Sequence, residues 1–104
     1  MSIEKLNIIY NFIISAKELY KDDKLLLSEN DINIIPKEIK YLNNLRYLSL
    51  NSNEIKEIPT EIMYLIKIQF IHLSYNILES INSLMYLPTL RELYLNNNRI
   101  KKNT

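Results

Sequence analysis

Asn30, Asn53, Asn76 and Asn98 recur at intervals of 23, 23 and 22 residues, and the apolar residues keep step with them. One unit reads Leu45, Leu48, Leu50, Asn53, Ile55, Ile58, Pro59, Ile62 and Leu65. The next reads Ile68, Ile71, Leu73, Asn76, Leu78, Ile81, Leu84 and Leu87. The unit before them reads Leu25, Leu27, Asn30, Ile32, Ile35, Pro36, Ile39 and Leu42, and a last partial unit supplies Leu90, Leu93, Leu95, Asn98 and Ile100. A fixed period of this length marks a repeat architecture. A single unit cannot bury its own apolar face, so the units have to stack into one continuous core.

The spacing within a unit predicts its shape. In Leu48-Ser49-Leu50 the apolar residues alternate, which suits a short strand with one buried face. Beyond each asparagine the apolar spacing lengthens to three and four, which suits a helical or 3₁₀ return segment. Pro36 and Pro59 hold matching positions and fit the first turn of such a segment, where a missing N–H costs nothing. The third unit has Asn82 in that place and is one residue shorter, which predicts a looser return.

The asparagines have a structural task in this scheme. Each strand ends in a sharp turn that leaves backbone groups inside the coil, and an amide side chain offers both donors and acceptors to them. Stacking makes Asn30, Asn53, Asn76 and Asn98 a ladder. Glycine is absent from the chain, so every turn has to be built from Asn, Asp, Ser and Pro. Its absence also excludes glycine-rich phosphate-binding loops.

With this pattern the chain resembles the leucine-rich-repeat family, whose units run L-x-x-L-x-L-x-x-N-x-L followed by I-P-x-x-I-x-x-L. The resemblance covers residues 22–104 and is to the class with units of about 23 residues, as in intracellular scaffold proteins of the Scribble kind. It implies an α/β solenoid: a short arc with a parallel sheet on the concave face and helical or 3₁₀ segments on the convex face. The units are then 22–44, 45–67, 68–89 and a partial 90–104. Such a motif specifies fold strongly and function weakly.

Residues 1–21 admit two readings. Ile3, Leu6, Ile9, Ile13, Ala16 and Tyr20 lie on one side of a helix, which would cap the first unit. Alternatively Ile3, Leu6, Ile8, Asn11 and Ile13 form a degenerate repeat. The helix is preferred, because the repeat register would turn Ile9, Phe12 and Ile14 outward. At the other end, Leu93, Leu95 and Ile100 are expected to face an open edge of the column, where a second copy of the chain could cover them.

Composition narrows the partners. Apolar residues make up 47% of the chain, enough for a real core, and the formal net charge is +1, too small to recruit nucleic acid or an acidic membrane. Ile8 to Ile14 is far short of the roughly 20 apolar residues of a membrane span. It also makes a poor signal peptide, with Glu4 before it and no small-residue cleavage site after it. Cysteine is absent, which favours an intracellular, cytoplasmic setting for so small a domain. The abundance of Ile, Asn, Lys and Tyr points to an A/T-rich genome, such as that of a large DNA virus or a protist.

Function is expected on the concave sheet, where the residues between the buried strand positions point to solvent. They include Leu26, Tyr47, Ser49, Phe70, His72, Glu92 and Tyr94. Aromatic residues with a polar border are the character of a protein-binding patch. The structural alternative is that cross-strand aromatic pairs only stabilise the sheet. His72, the sole histidine, has no second His or Cys to share a metal, so no metal and no cofactor is expected. Tyr41, Tyr64 and Tyr86 form a second column, expected to lay their rings on the convex return segments. No catalytic constellation is visible: there is no cysteine nucleophile, and carboxylates such as Glu54 and Glu57 fall on outer turns. The chain therefore reads as a non-enzymatic module for a protein partner. The alternative is a homo-oligomer with a structural role, joined by the concave face or the open edge.

Overall fold

The computed structural model describes residue 3 and residues 23–101. The N-terminal segment, read above as a helical cap or a degenerate repeat, lies outside the described residues. Among the described residues four strands, β1 (Lys24–Leu26), β2 (Tyr47–Ser49), β3 (Phe70–His72) and β4 (Glu92–Tyr94), form one sheet in the order β1-β2-β3-β4. Every pairing is parallel. Three return segments, η1 (Lys37–Tyr41), η2 (Thr60–Tyr64) and η3 (Asn82–Tyr86), run between them, and each is a five-residue 3₁₀ helix. A segment this short gains little from α-helical bonds, and the tighter 3₁₀ turn is the usual form of brief connectors.

The register follows the period. Leu25 pairs with Leu48, Leu48 with Ile71, and Ile71 with Leu93, so each unit's central leucine or isoleucine stacks on the last. These side chains point away from solvent toward the return segments. Leu48, Leu50, Ile55, Ile62, Leu65, Ile68, Ile71, Leu73 and Leu78 are almost wholly buried. Burial of that completeness stabilises by about 1.5–3 kcal/mol per side chain. Leu93 and Leu95 are only partly buried, packed on one side against this core, and Ile100 is exposed.

Each turn off a strand is made without glycine. Glu29, Ser52, Tyr75 and Asn97, the residues just before the four asparagines, take φ values of 59°, 59°, 59° and 62°. The left-handed region costs a residue bearing a Cβ roughly 1–2 kcal/mol, less for Asn. The turn is held against that cost by the bonds that the next residue makes. Asn53 Oδ1 accepts from the backbone N–H groups of Asn30 (2.9 Å) and Ile32 (3.0 Å). Its Nδ2 donates to the carbonyls of Leu27 (3.0 Å) and Leu50 (2.9 Å). Asn76 Oδ1 accepts from Ile55 N, and its Nδ2 donates to Leu50 O and Leu73 O. Asn98 Oδ1 accepts from Leu78 N, and its Nδ2 donates to Leu73 O and Leu95 O. Each of these three amides therefore ties its own unit to the one before. Asn30 Nδ2 donates to Ser28 O, the same local bond that Asn53 makes to Asn51 O and Asn76 to Ser74 O.

The prolines sit one step earlier than first-turn placement implies. Pro36 and Pro59 are the cap residues before η1 and η2, with extended backbones of φ −69°, ψ 151° and φ −68°, ψ 152°. Their carbonyls accept the first 3₁₀ bonds, from Ile39 N and Ile62 N. In the third unit it is the proline's own slot that has been lost. Ile81 occupies the cap with φ −121°, ψ 17°, and its carbonyl accepts from Leu84 N. Asn82 thus matches Thr60, not Pro59. The segment keeps five residues, but its exit bonds lengthen: Leu87 N to Leu84 O and Leu90 N to Leu87 O are both 3.4 Å, against 3.1 and 3.2 Å in the second unit.

Candidate functional site

Strand pairing converts the repeat into rows across the solvent face of the sheet. One row is Lys24, Tyr47, Phe70, Glu92, and the next is Leu26, Ser49, His72, Tyr94. Adjacent strands lie about 4.8 Å apart, close enough for neighbouring rings to touch. Tyr47 and Phe70 meet at a centroid distance of 5.9 Å with planes tilted by 41°. Tyr47 also leans forward to His72, at 4.9 Å and 31°. His72 stacks on Tyr94 at 4.4 Å and 21°. Four rings on three strands thus form one connected surface.

Each residue of this face has a definite place. Tyr47, Phe70 and His72 are half-buried by one another, while Tyr94 and Leu26 are exposed. His72, a lone exposed histidine in the sequence reading, is instead the middle ring of a stack. Ser49 is 7% exposed and shares a hydrogen bond of 2.9 Å with the Ser28 hydroxyl. This short, buried side chain belongs under the face and not on it. The stack was within reach of register arithmetic, since residues 49, 72 and 94 share a row and residue 47 lies two positions behind.

Glu92 and Tyr94 work as a unit. They are two apart on β4 and so lie on the same side of the strand. The Tyr94 hydroxyl donates to Glu92 Oε1. That hydrogen bond, and then the negative charge of Glu92, raise the Tyr94 pKa and keep the phenol neutral. Among the described residues Glu92 has no ion pair, although Arg91 precedes it in the chain.

Below these rows runs a polar one. Asn51 Oδ1 accepts from Ser74 N, and Asn96 Oδ1 accepts from the Ser74 hydroxyl, both at 2.9 Å. These side chains and the rings of His72, Tyr75 and Tyr94 line a shallow open depression of about 520 Å³. A second depression, of about 760 Å³, lies on the flank against Asn33, Ile34, Lys56 and Glu57. There Asn33 Oδ1 is buried with no hydrogen-bond partner. Tyr41, Tyr64 and Tyr86 lie on the return segments and are 60%, 60% and 74% exposed, so their rings cover much less of those segments than the sequence implied. Met63, Ile66 and Met85 are exposed beside them. The described residues contain no group of three or more His, Cys, Asp or Glu able to hold a metal, and no helix long and apolar enough to cross a membrane.

A family model described as leucine rich repeat matches residues 43–100, more than half of the chain. Solved structures of similar form include a leucine-rich-repeat protein of Leptospira interrogans, 40% identical with a TM-score of 0.73. The match covers 77% of this chain and 21% of that one. An internalin of Listeria monocytogenes is 30% identical with a TM-score of 0.78, over 94% of this chain and 31% of that one. The chain thus spans less than a third of the length of either protein. No curated protein sequence matches it.

Proposed function

The chain belongs to the leucine-rich-repeat family, and from that premise we propose that it is a non-enzymatic module whose concave sheet binds a protein partner. The observation that carries this is the connected ring surface of Tyr47, Phe70, His72 and Tyr94. Aromatic side chains present large area at low entropic cost, and they dominate the energetics of protein interfaces. Leu26 extends the patch at the β1 side, and Lys24 and Glu92 give it a polar border at opposite ends. A shallow open face of this kind suits binding better than chemistry, which requires a cleft. The lack of cysteine supports an intracellular setting. The 23-residue period with its Ile-Pro pairs supports a place among the intracellular-type repeats of the Scribble kind.

The test is a Phe70→Ala, Tyr94→Ala double variant against a partner purified with the wild-type chain. Affinity should fall by at least about tenfold, as for two residues at the centre of an interface, while the far-ultraviolet circular dichroism stays unchanged. Undiminished affinity would remove this face from consideration. Self-association is the second reading, through the same rings or through Leu93, Leu95 and Ile100 beside β4. Light scattering over a range of concentrations separates the two, since a partner-binding module stays monomeric.

A further inference from the structure

We propose that the β4 side of the concave face is an arginine-recognition subsite, in which a guanidinium from a partner peptide lies on the open face of Tyr94 and pairs with Glu92. The inference rests on the reading of this sheet as the partner-binding face, and it assigns that partner a chemistry. Three features of the site converge on a cation. Tyr94 stacks one face on His72 and leaves 40% of its surface exposed, so the other face is open. Glu92 is exposed and carries a charge that no described cation neutralises. The Tyr94 hydroxyl donates to that carboxylate, which pushes electron density into the phenol ring and strengthens the negative potential over its face. Ring and carboxylate are thereby locked side by side, on one strand, as a single electron-rich surface.

Arginine fits better than lysine. A planar guanidinium stacks on an aromatic face while its edge N–H groups still point at a neighbouring carboxylate. An ammonium is a compact, strongly hydrated charge and gives up more water for less contact. The rest of the row favours a peptide over a free cation. Phe70, between Tyr47 and Glu92, offers an apolar seat one strand inward. A residue flanking the arginine would rest there.

The probe is the blocked tripeptide Leu-Arg-Leu, compared with Leu-citrulline-Leu, which replaces the guanidinium by an uncharged group of nearly equal shape. Both are titrated into the isotopically labelled protein and followed by the ring resonances of Tyr94 and His72. The arginine peptide should give saturable shifts at both rings. The citrulline peptide should bind about fivefold more weakly or worse, the combined effect of a lost cation–π contact and a lost exposed ion pair. Glu92→Gln should weaken the arginine peptide by about two- to fivefold, and Tyr94→Leu should abolish the His72 shift. Glu57→Gln, an exposed carboxylate on the flank, serves as the charge control and should change nothing.

Equal binding of the two peptides, or no saturable shift with either, would overturn the subsite. The separate partner assay then shows how far the failure extends. If Phe70→Ala, Tyr94→Ala still cuts affinity for the purified partner, the face stands and only its arginine preference falls. If the double variant leaves the partner untouched while arginine continues to shift Tyr94, the subsite stands and the face has been assigned the wrong occupant.

Discussion

Aromatic residues recur on both sides of this arc at the repeat spacing, Tyr47 with Phe70 and His72 with Tyr94 on the sheet and Tyr41, Tyr64 and Tyr86 on the return segments, yet the two sides use them differently. On the sheet, Tyr47 and Tyr94 are joined through His72 into a stack whose members lie 4.4 and 4.9 Å apart. On the return segments, Tyr41, Tyr64 and Tyr86 make no ring contact with one another, and Tyr41 instead has the Lys40 ammonium 5.3 Å from its centroid. The cause is geometric. Strand hydrogen bonds fix inner neighbours about 4.8 Å apart, near the spacing of stacked rings. The outer side of a curved stack has no such ladder, and the same repeat is spread over a longer arc. Periodic aromatic residues therefore become a pre-formed surface only where backbone pairing sets their distance.

The inner ladder is also what the contrast depends on, and the largest effect comes from loosening it. Asn76→Ala removes the acceptor for Ile55 N and the donor to the carbonyls of Leu50 and Leu73. Each orphaned buried group costs about 1–3 kcal/mol, so urea denaturation should show a loss of at least about 3 kcal/mol. A loss below about 1 kcal/mol would mean that the amide is not what ties the units together. Smaller in size is the contrast between the two aromatic columns. Tyr47→Ala deletes contacts to both Phe70 and His72 and should cost about 1–2 kcal/mol. Tyr64→Ala, on the open convex side, should stay within about 0.5 kcal/mol. Equal costs would erase the distinction between the faces.

The smallest effect is a titration. Tyr94 has its pKa raised by the Glu92 hydrogen bond and charge. A raised folded-state value stabilises the protein fully below the ordinary tyrosine pKa, and that contribution is lost as pH climbs through the raised one. In an alkaline spectrophotometric titration Tyr94 should ionise at a higher pH in the wild type than in Glu92→Gln. Identical titrations in the two proteins would show that the pair does not hold together in solution.

How much of this was legible beforehand differs by level. The 23-residue period placed the strands, their parallel order and the buried positions, because stacking leaves a periodic chain almost no alternative. It also placed Leu26, Tyr47, Phe70, His72, Glu92 and Tyr94 at outward-facing strand positions. It did not disclose which side chains meet. Ser49 occupies the same row as His72, but the row position says nothing of its burial or of the hydroxyl bond to Ser28. Rotamers and side-chain hydrogen bonds decide those contacts, and they have no period. The shortened third unit misled for a related reason. A deletion in a periodic string can be absorbed at any neighbouring residue, and only backbone dihedrals showed that Ile81 had taken over the proline's cap.

Sheet register gathers the inner rings into one surface and leaves the outer rings apart. Nuclear Overhauser contacts between aromatic protons in the free protein test this most directly. Contacts should link Tyr47 to Phe70, Tyr47 to His72 and His72 to Tyr94, with none among Tyr41, Tyr64 and Tyr86. Inner rings without mutual contacts, or outer rings linked to each other as strongly, would contradict it.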